Sequence, residues 1–153
     1  ATLSGWEINV QQQLSFLPGP LSGLGVYANY TSTTSDAYYG SDRDKTTLPG
    51  QAGNTGNFSL SYETKKLSAR FSYALSDQYI VEVGDDADED IYYEPANRID
   101  ISLSYDPMDN LTILADLMNV NNAPLGYFQG SSSTPIQREL YGPSFRVGLQ
   151  YDF

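Results

Sequence analysis

The feature that most constrains this chain is a strict alternation of apolar and polar residues, sharpest at its end. From Phe145 to Phe153 the odd positions are Phe145, Val147, Leu149, Tyr151 and Phe153, and the even ones are Arg146, Gly148, Gln150 and Asp152. Successive side chains of an extended strand point to opposite faces, so this segment makes one apolar face and one polar face. The period of two recurs upstream. Trp6, Ile8, Val10, Leu14 and Phe16 share a face broken only by Gln12, opposite Glu7, Asn9, Gln11, Gln13 and Ser15. Leu24, Val26, Ala28 and Tyr30 follow, then Phe58, Leu60 and Tyr62. Leu67, Ala69, Phe71, Tyr73 and Leu75 oppose Ser68, Arg70, Ser72 and Ser76. Ile99, Ile101, Leu103 and Tyr105 oppose Asp100, Ser102 and Ser104. Over Leu111–Val120 the pattern blurs, because Leu114 and Met118 fall on the face opposite Ile113, Ala115 and Leu117.

The reading is an all-β, antiparallel meander of about seven strands. Its connections alternate in length. Short turns are expected at Pro18–Gly23, Glu63–Lys66 and Asp106–Asn110, and long polar segments at about 33–56, 77–98 and 122–143. Short turns at one end and long loops at the other is the layout of a transmembrane β-barrel. A tilted strand of nine residues crosses most of a bilayer core, and no apolar run approaches the ~20 residues of a membrane helix. Trp6, Tyr30, Tyr62, Tyr73, Tyr105, Tyr151 and Phe153 lie near strand ends, where amphipathic rings favour the headgroup level. Aromatics are also good strand formers, so their presence alone is not diagnostic.

Composition removes several functions. The formal charge is −11, from 19 Asp and Glu against 8 Lys and Arg, the wrong sign for nucleic acid. Cysteine and histidine are absent, which removes thiol chemistry and the commonest general base. An enzyme has little support, and no cofactor is expected.

Parity sharpens the reading. With the C-terminus on the short-turn side, taken as periplasmic, seven strands place Ala1 on the opposite, extracellular side. Single bacterial chains close barrels with even strand numbers, and open edges in lipid cost several kcal/mol per unpaired group. The expectation is a stretch of a larger barrel. The alternative is a short outer-membrane structural or binding protein that assembles from several chains.

Several segments resemble the C-terminal barrel region of TonB-dependent outer-membrane receptors. They are Ser4–Glu7 (SGWE), Leu17–Thr31 (LPGPLSGLGVYANYT), Leu48-Pro49-Gly50-Gln51 followed by Asn57–Glu63 (NFSLSYE), Leu67–Tyr73 (LSARFSY), Leu117–Asn122 (LMNVNN) and Tyr141–Phe153 (YGPSFRVGLQYDF). The resemblance implies a larger barrel of the 22-stranded type, with the plug domain and TonB-binding box lying outside residues 1–153. It implies active uptake of a scarce large solute such as an iron–siderophore, cobalamin, haem or an oligosaccharide. The implied partners are outer-membrane lipid and lipopolysaccharide, the TonB complex reached through the missing N-terminal part, the remaining barrel strands, and the barrel-assembly machinery, which would read Phe153 as its signal.

Candidate site residues follow from the faces. Glu7, Asn9, Arg70, Asp100, Arg146, Gln150 and Asp152 are expected to face the lumen. Arg70, Arg98, Arg138 and Arg146 could meet an anion bidentately, but pairing with Glu7, Asp100, Asp116 or Asp152 is the expected fate of inward charges. Tyr38, Tyr39, Tyr92, Tyr93, Tyr127 and Phe128 fall in the long loops, where they could clamp a ligand or pack among themselves. Asp86, Asp88 and Asp90 have the first spacings of a calcium loop. Ile91 replaces its glycine and Asn97 its bidentate glutamate, so a solvated loop is expected.

Overall fold

A computed structural model describes residues 1–40 and 45–153 of the chain. Its frame is a seven-stranded antiparallel sheet of β1 (Thr2–Gln13), β2 (Leu24–Asp36), β3 (Asn54–Glu63), β4 (Leu67–Ser76), β7 (Ala96–Met108), β8 (Leu111–Met118) and β11 (Ser144–Tyr151), paired in that order. Each overlaps a stretch in which alternation predicts a strand. The first ends at Gln13 rather than Phe16. Leu14 N–H bonds the Leu24 carbonyl at 2.8 Å and Leu17 N–H bonds the Leu14 carbonyl, so Leu14 and Phe16 belong to the turn that a short 3₁₀ segment, Gly19–Gly23, completes.

The register keeps the two faces apart. One cross-strand row runs Val26, Leu60, Phe71, Ile101, Leu117, Phe145. The adjacent row runs Gln13, Gly25, Ser61, Arg70, Ser102, Asp116, Arg146 and crosses all seven strands. Gln12, opposite Val26, is the polar break in the apolar row. In β8, Leu114 does lie on the polar face, where it opposes Gly148 and Ser104. A glycine partner leaves room for a leucine beside it.

The apolar face is open. Trp6, Ile8, Val10, Val147 and Leu149 are all more than half exposed. The buried hydrophobic residues among those described are Ala37, Ile80 and Phe128, all beyond the long-connection end of the large sheet. A water-soluble sheet of this size covers such a face with a second layer. Here the hydrophobic effect favours lipid against it.

Short connections gather at one end. Thr64 closes the β3–β4 turn, its N–H on the Leu67 carbonyl at 2.7 Å and its hydroxyl accepting from Leu67 N–H at 3.0 Å. Across the β7–β8 turn, Thr112 donates to Asp106 at 2.7 Å. Asp152 N–H bonds Asn110 at this same end, whereas Thr2 pairs with Asp36 at the other. The two termini therefore lie at opposite ends of the sheet.

The long connections are not plain loops, which corrects the sequence reading. Residues 77–95 contain β5 (Tyr79–Glu82) and β6 (Ile91–Tyr93), and residues 119–143 contain β9 (Leu125–Gln129) and β10 (Pro135–Glu139). They form a second sheet ordered β10-β9-β6-β5. Its central pair, β6 with β9, joins two different connections, so neighbours are not always sequential. Strands of three to five residues leave too few alternations to recognise. Part of the first long segment, residues 41–44, lies outside the described residues.

Candidate functional site

The polar face of the large sheet is a wall of amides, hydroxyls and paired charges. Asn9, Asn29 and Asn57 lie opposite one another on β1, β2 and β3. Asn29 donates to the Tyr27 hydroxyl at 2.9 Å, and its carbonyl accepts from the Asn57 backbone and side chain at 2.9 and 3.0 Å. Ser59 and Ser72 share a hydrogen bond at 3.2 Å. Arg146 binds Asp116 through two nitrogens at 2.7 and 2.9 Å, and Arg98 binds Asp100 at 3.1 Å. Both pairs join residues on one face. Arg70 has no ion pair among the described residues; it lines a groove of about 480 Å³ with Gln11, Gln13, Tyr27, Ser61 and Glu63. Gln150 stands opposite Thr112, Glu7 opposite Thr31, and Asp152 just past the end of β11.

At the strand ends on the long-connection side sits a knot of asparagines. Asn119 and Asn122 have φ of 55° and 51°, a left-handed backbone that asparagine tolerates better than most residues. Asn119 N–H bonds Asp100 at 2.8 Å, and its side chain bonds Ala123 N–H at 2.7 Å and the Gly142 carbonyl at 3.3 Å. Asn122 accepts from Gly142 N–H at 3.0 Å. Asn121 clamps β7, accepting from Ile99 N–H at 3.0 Å and donating to the Asn97 carbonyl at 2.7 Å. The segment LMNVNN is thus a junction tying β8, β7 and the approach to β11. The sequence marked it only as a likeness, because side-chain reach across strands is not visible in spacing.

The smaller sheet carries the tyrosines. One face presents a row, Tyr79, Tyr93, Tyr127. Tyr93 stacks on Tyr79 at 5.2 Å between centroids and meets Tyr127 edge-on at 5.3 Å. Burial, then the neighbouring Tyr79 and Tyr127, push the Tyr93 hydroxyl above its ordinary pKa. The other face presents Ile80, Tyr92 and Phe128, with Tyr92 stacked on Phe128 at 5.1 Å. Tyr92 therefore shares a face with the buried Ile80 and Phe128, while Tyr93 and Tyr127 lie on the opposite face. Tyr38 is exposed, with Lys45 over its ring at 4.8 Å, and Tyr39 is partly exposed. Glu94, which sequence reasoning missed, holds Arg138 at 3.4 Å.

The acidic run folds into a short 3₁₀ turn, Ala87–Glu89, preceded by Asp86. Asp90 is buried and turned into the structure, where it accepts from Gly84 N–H at 3.0 Å. Among the described residues, no three carboxylates converge on a point that could hold a metal. Asp86, Asp88 and Asp90 are not brought together as ligands, because Asp90 is spent on closing the turn.

Trp6 and Tyr30 meet at 5.5 Å, and Tyr151 and Phe153 at 5.1 Å near the short-turn end. Phe153 is fully exposed.

A model of the family described as TonB dependent receptor-like, beta-barrel, matches residues 1–122. The chain belongs to the TonB-dependent receptor β-barrel family. No curated protein and no solved structure matches it. Membership identifies the chain as barrel of a bacterial outer-membrane receptor of the TonB-dependent type. Members of this receptor family are transporters rather than enzymes, and they work with TonB and outer-membrane components. The open apolar face and the polar wall are what a TonB-dependent receptor barrel requires of its two surfaces.

Proposed function

We propose that this sheet is a stretch of the wall of a larger, 22-stranded-type barrel that takes up a scarce large solute under the drive of TonB. The observation that carries the reading is the register itself. The apolar rows lie on one exposed face, broken at Gln12 and Asn97, and the polar rows on the other, interrupted at Leu114. In this reading Val147, Leu149 and Tyr151 meet lipid. Glu7, Asn9, Arg70, Asp100, Arg146, Gln150 and Asp152 meet the lumen and whatever domain fills it. The second sheet and the long connections stand outside the cell, and the short turns and Phe153 stand in the periplasm. β1 and β11 are each paired on one side only; in lipid their free edges need further strands. Contact with TonB falls to parts of the receptor other than these strands.

Uptake by cells that carry the complete receptor tests this reading. Deleting the gene, or collapsing the proton gradient, should abolish accumulation of its solute. Accumulation that persists without TonB would overturn the reading.

A further inference from the structure

Building on that uptake reading, we propose that the cleft between the two sheets is a subsite for a carboxylate carried on an aromatic body, with the Arg98 guanidinium as its anchor.

The anchor comes first. The Asn9–Asn29–Asn57 row continues across the polar face to Ala74 and Arg98. Arg98 donates from Nε to Asp100 Oδ2 at 3.1 Å, and Asp100 Oδ1 accepts from Asn119 N–H at 2.8 Å. The backbone thus fixes the carboxylate, and the carboxylate fixes the guanidinium. The two terminal nitrogens of Arg98 make no hydrogen bond among the described residues. They form the fork edge that meets a carboxylate with two parallel bonds. Ala74, its cross-strand partner on β4, projects only a methyl group, so the ground beside the fork is open.

The walls set the rest of the ligand. The cleft holds about 410 Å³ and is bordered by Ala74, Leu75 and Ala96 of the large sheet and by Tyr93, Pro124 and Leu125 of the long connections. Arg98 is the one charged side chain among the described residues that line it. The eight carboxylates of residues 77–95 all lie outside that lining. Mostly apolar walls around a single polar anchor are what a small-molecule pocket offers. The Tyr93 ring and the Pro124 and Leu125 side chains suit the face and edge of an aromatic ring. A carboxylate alone would leave those walls wet, and a neutral ring alone would leave the fork unmet.

The test uses the complete receptor purified in detergent. Naphthoate is the probe, naphthamide its neutral counterpart and acetate the charge without the ring. Binding is read by equilibrium dialysis. We expect saturable binding of naphthoate, with the amide and acetate each weaker by about tenfold or more. Ala74→Leu fills the space and leaves the ion pair alone; it and Arg98→Met should each weaken naphthoate about tenfold. Urea midpoints check that both variants fold. Lys45→Met, outside the cleft, should leave binding within about twofold. No saturable naphthoate binding, equal binding of the amide, or binding untouched by Ala74→Leu in a folded protein overturns the proposal. TonB-dependent accumulation of a solute by a receptor that fails to bind naphthoate would overturn it too, yet leave the uptake reading standing. Naphthoate binding by a receptor whose uptake persists without TonB would do the reverse.

Discussion

Arg146 on β11 grips Asp116 on β8 with two nitrogens, both on the same carboxylate oxygen, at 2.7 and 2.9 Å. The two residues are direct cross-strand partners on the polar face. Arg146 is largely exposed, so the pair contributes modestly and is screened by salt. A double-mutant cycle of Arg146→Met and Asp116→Asn, read from urea midpoints in liposomes, should give a small favourable coupling that fades at high salt. A coupling that ignores salt would mean the pair is shielded from water.

The face assignment has its own test at the next residue. Val147 sits opposite Ala115 in the middle of β11 and is exposed on the apolar face. Val147→Arg should lower the stability of the membrane-inserted barrel by roughly 2–4 kcal/mol. Gln150→Arg, on the polar face, should cost much less. Equal losses in the urea midpoint would show that the face assignment is wrong.

Asn119 combines a left-handed backbone with side-chain bonds to Ala123 and Gly142. Asn119→Ala should lose both, at about 1–2 kcal/mol for the backbone and about 1 kcal/mol for each bond. Asn119→Gly should restore the backbone part alone. If Gly and Ala variants melt together, the φ argument is wrong.

Removing Phe153 should reduce insertion into the outer membrane without changing synthesis. The residue is fully exposed beyond the last strand and touches the Tyr151 ring, so little folded structure depends on it. Pulse-labelled fractionation reads the result, and normal insertion would show that the terminal aromatic is not the signal.

The Tyr93 hydroxyl titrates above its ordinary value of 10.0. A raised folded pKa means the folded state keeps its proton longer. The associated stability is therefore fully present below pH 10 and is lost as pH climbs through the raised value. Phenolate absorbance should show two late-titrating tyrosines, Tyr93 and Tyr141, the latter held up by its hydrogen bond to Glu139, and Tyr93→Phe should remove one of them. A titration unchanged by that substitution would assign the shift elsewhere.

The large sheet was legible in the sequence because each of its strands is long enough to repeat its alternation several times. Even the imperfection at Leu114 is explained by its partner, Gly148. The second sheet was not legible. Tyr92 and Tyr93 are adjacent in sequence, and only the pairing shows one stacked with Phe128 on one face and the other with Tyr127 on the opposite face. The ion pairs were half foreseen: Arg146–Asp116 joins neighbouring strands as expected, whereas Arg98–Asp100 pairs two of the expected charges within β7. Arg138–Glu94 joins two connections whose approach no local pattern signals.

That approach has a consequence for how such receptors diversify. β6 and β9 arise from connections that leave different hairpins, yet Ile91, Tyr92 and Tyr93 are laced to Gln129, Phe128 and Tyr127. Neither segment can be lengthened, trimmed or replaced without stripping hydrogen bonds from the other. A chimera that borrows one connection from a relative inherits a torn edge; one that borrows both receives an intact plate. The unit that can be exchanged on this part of the surface is the couple, not the single loop.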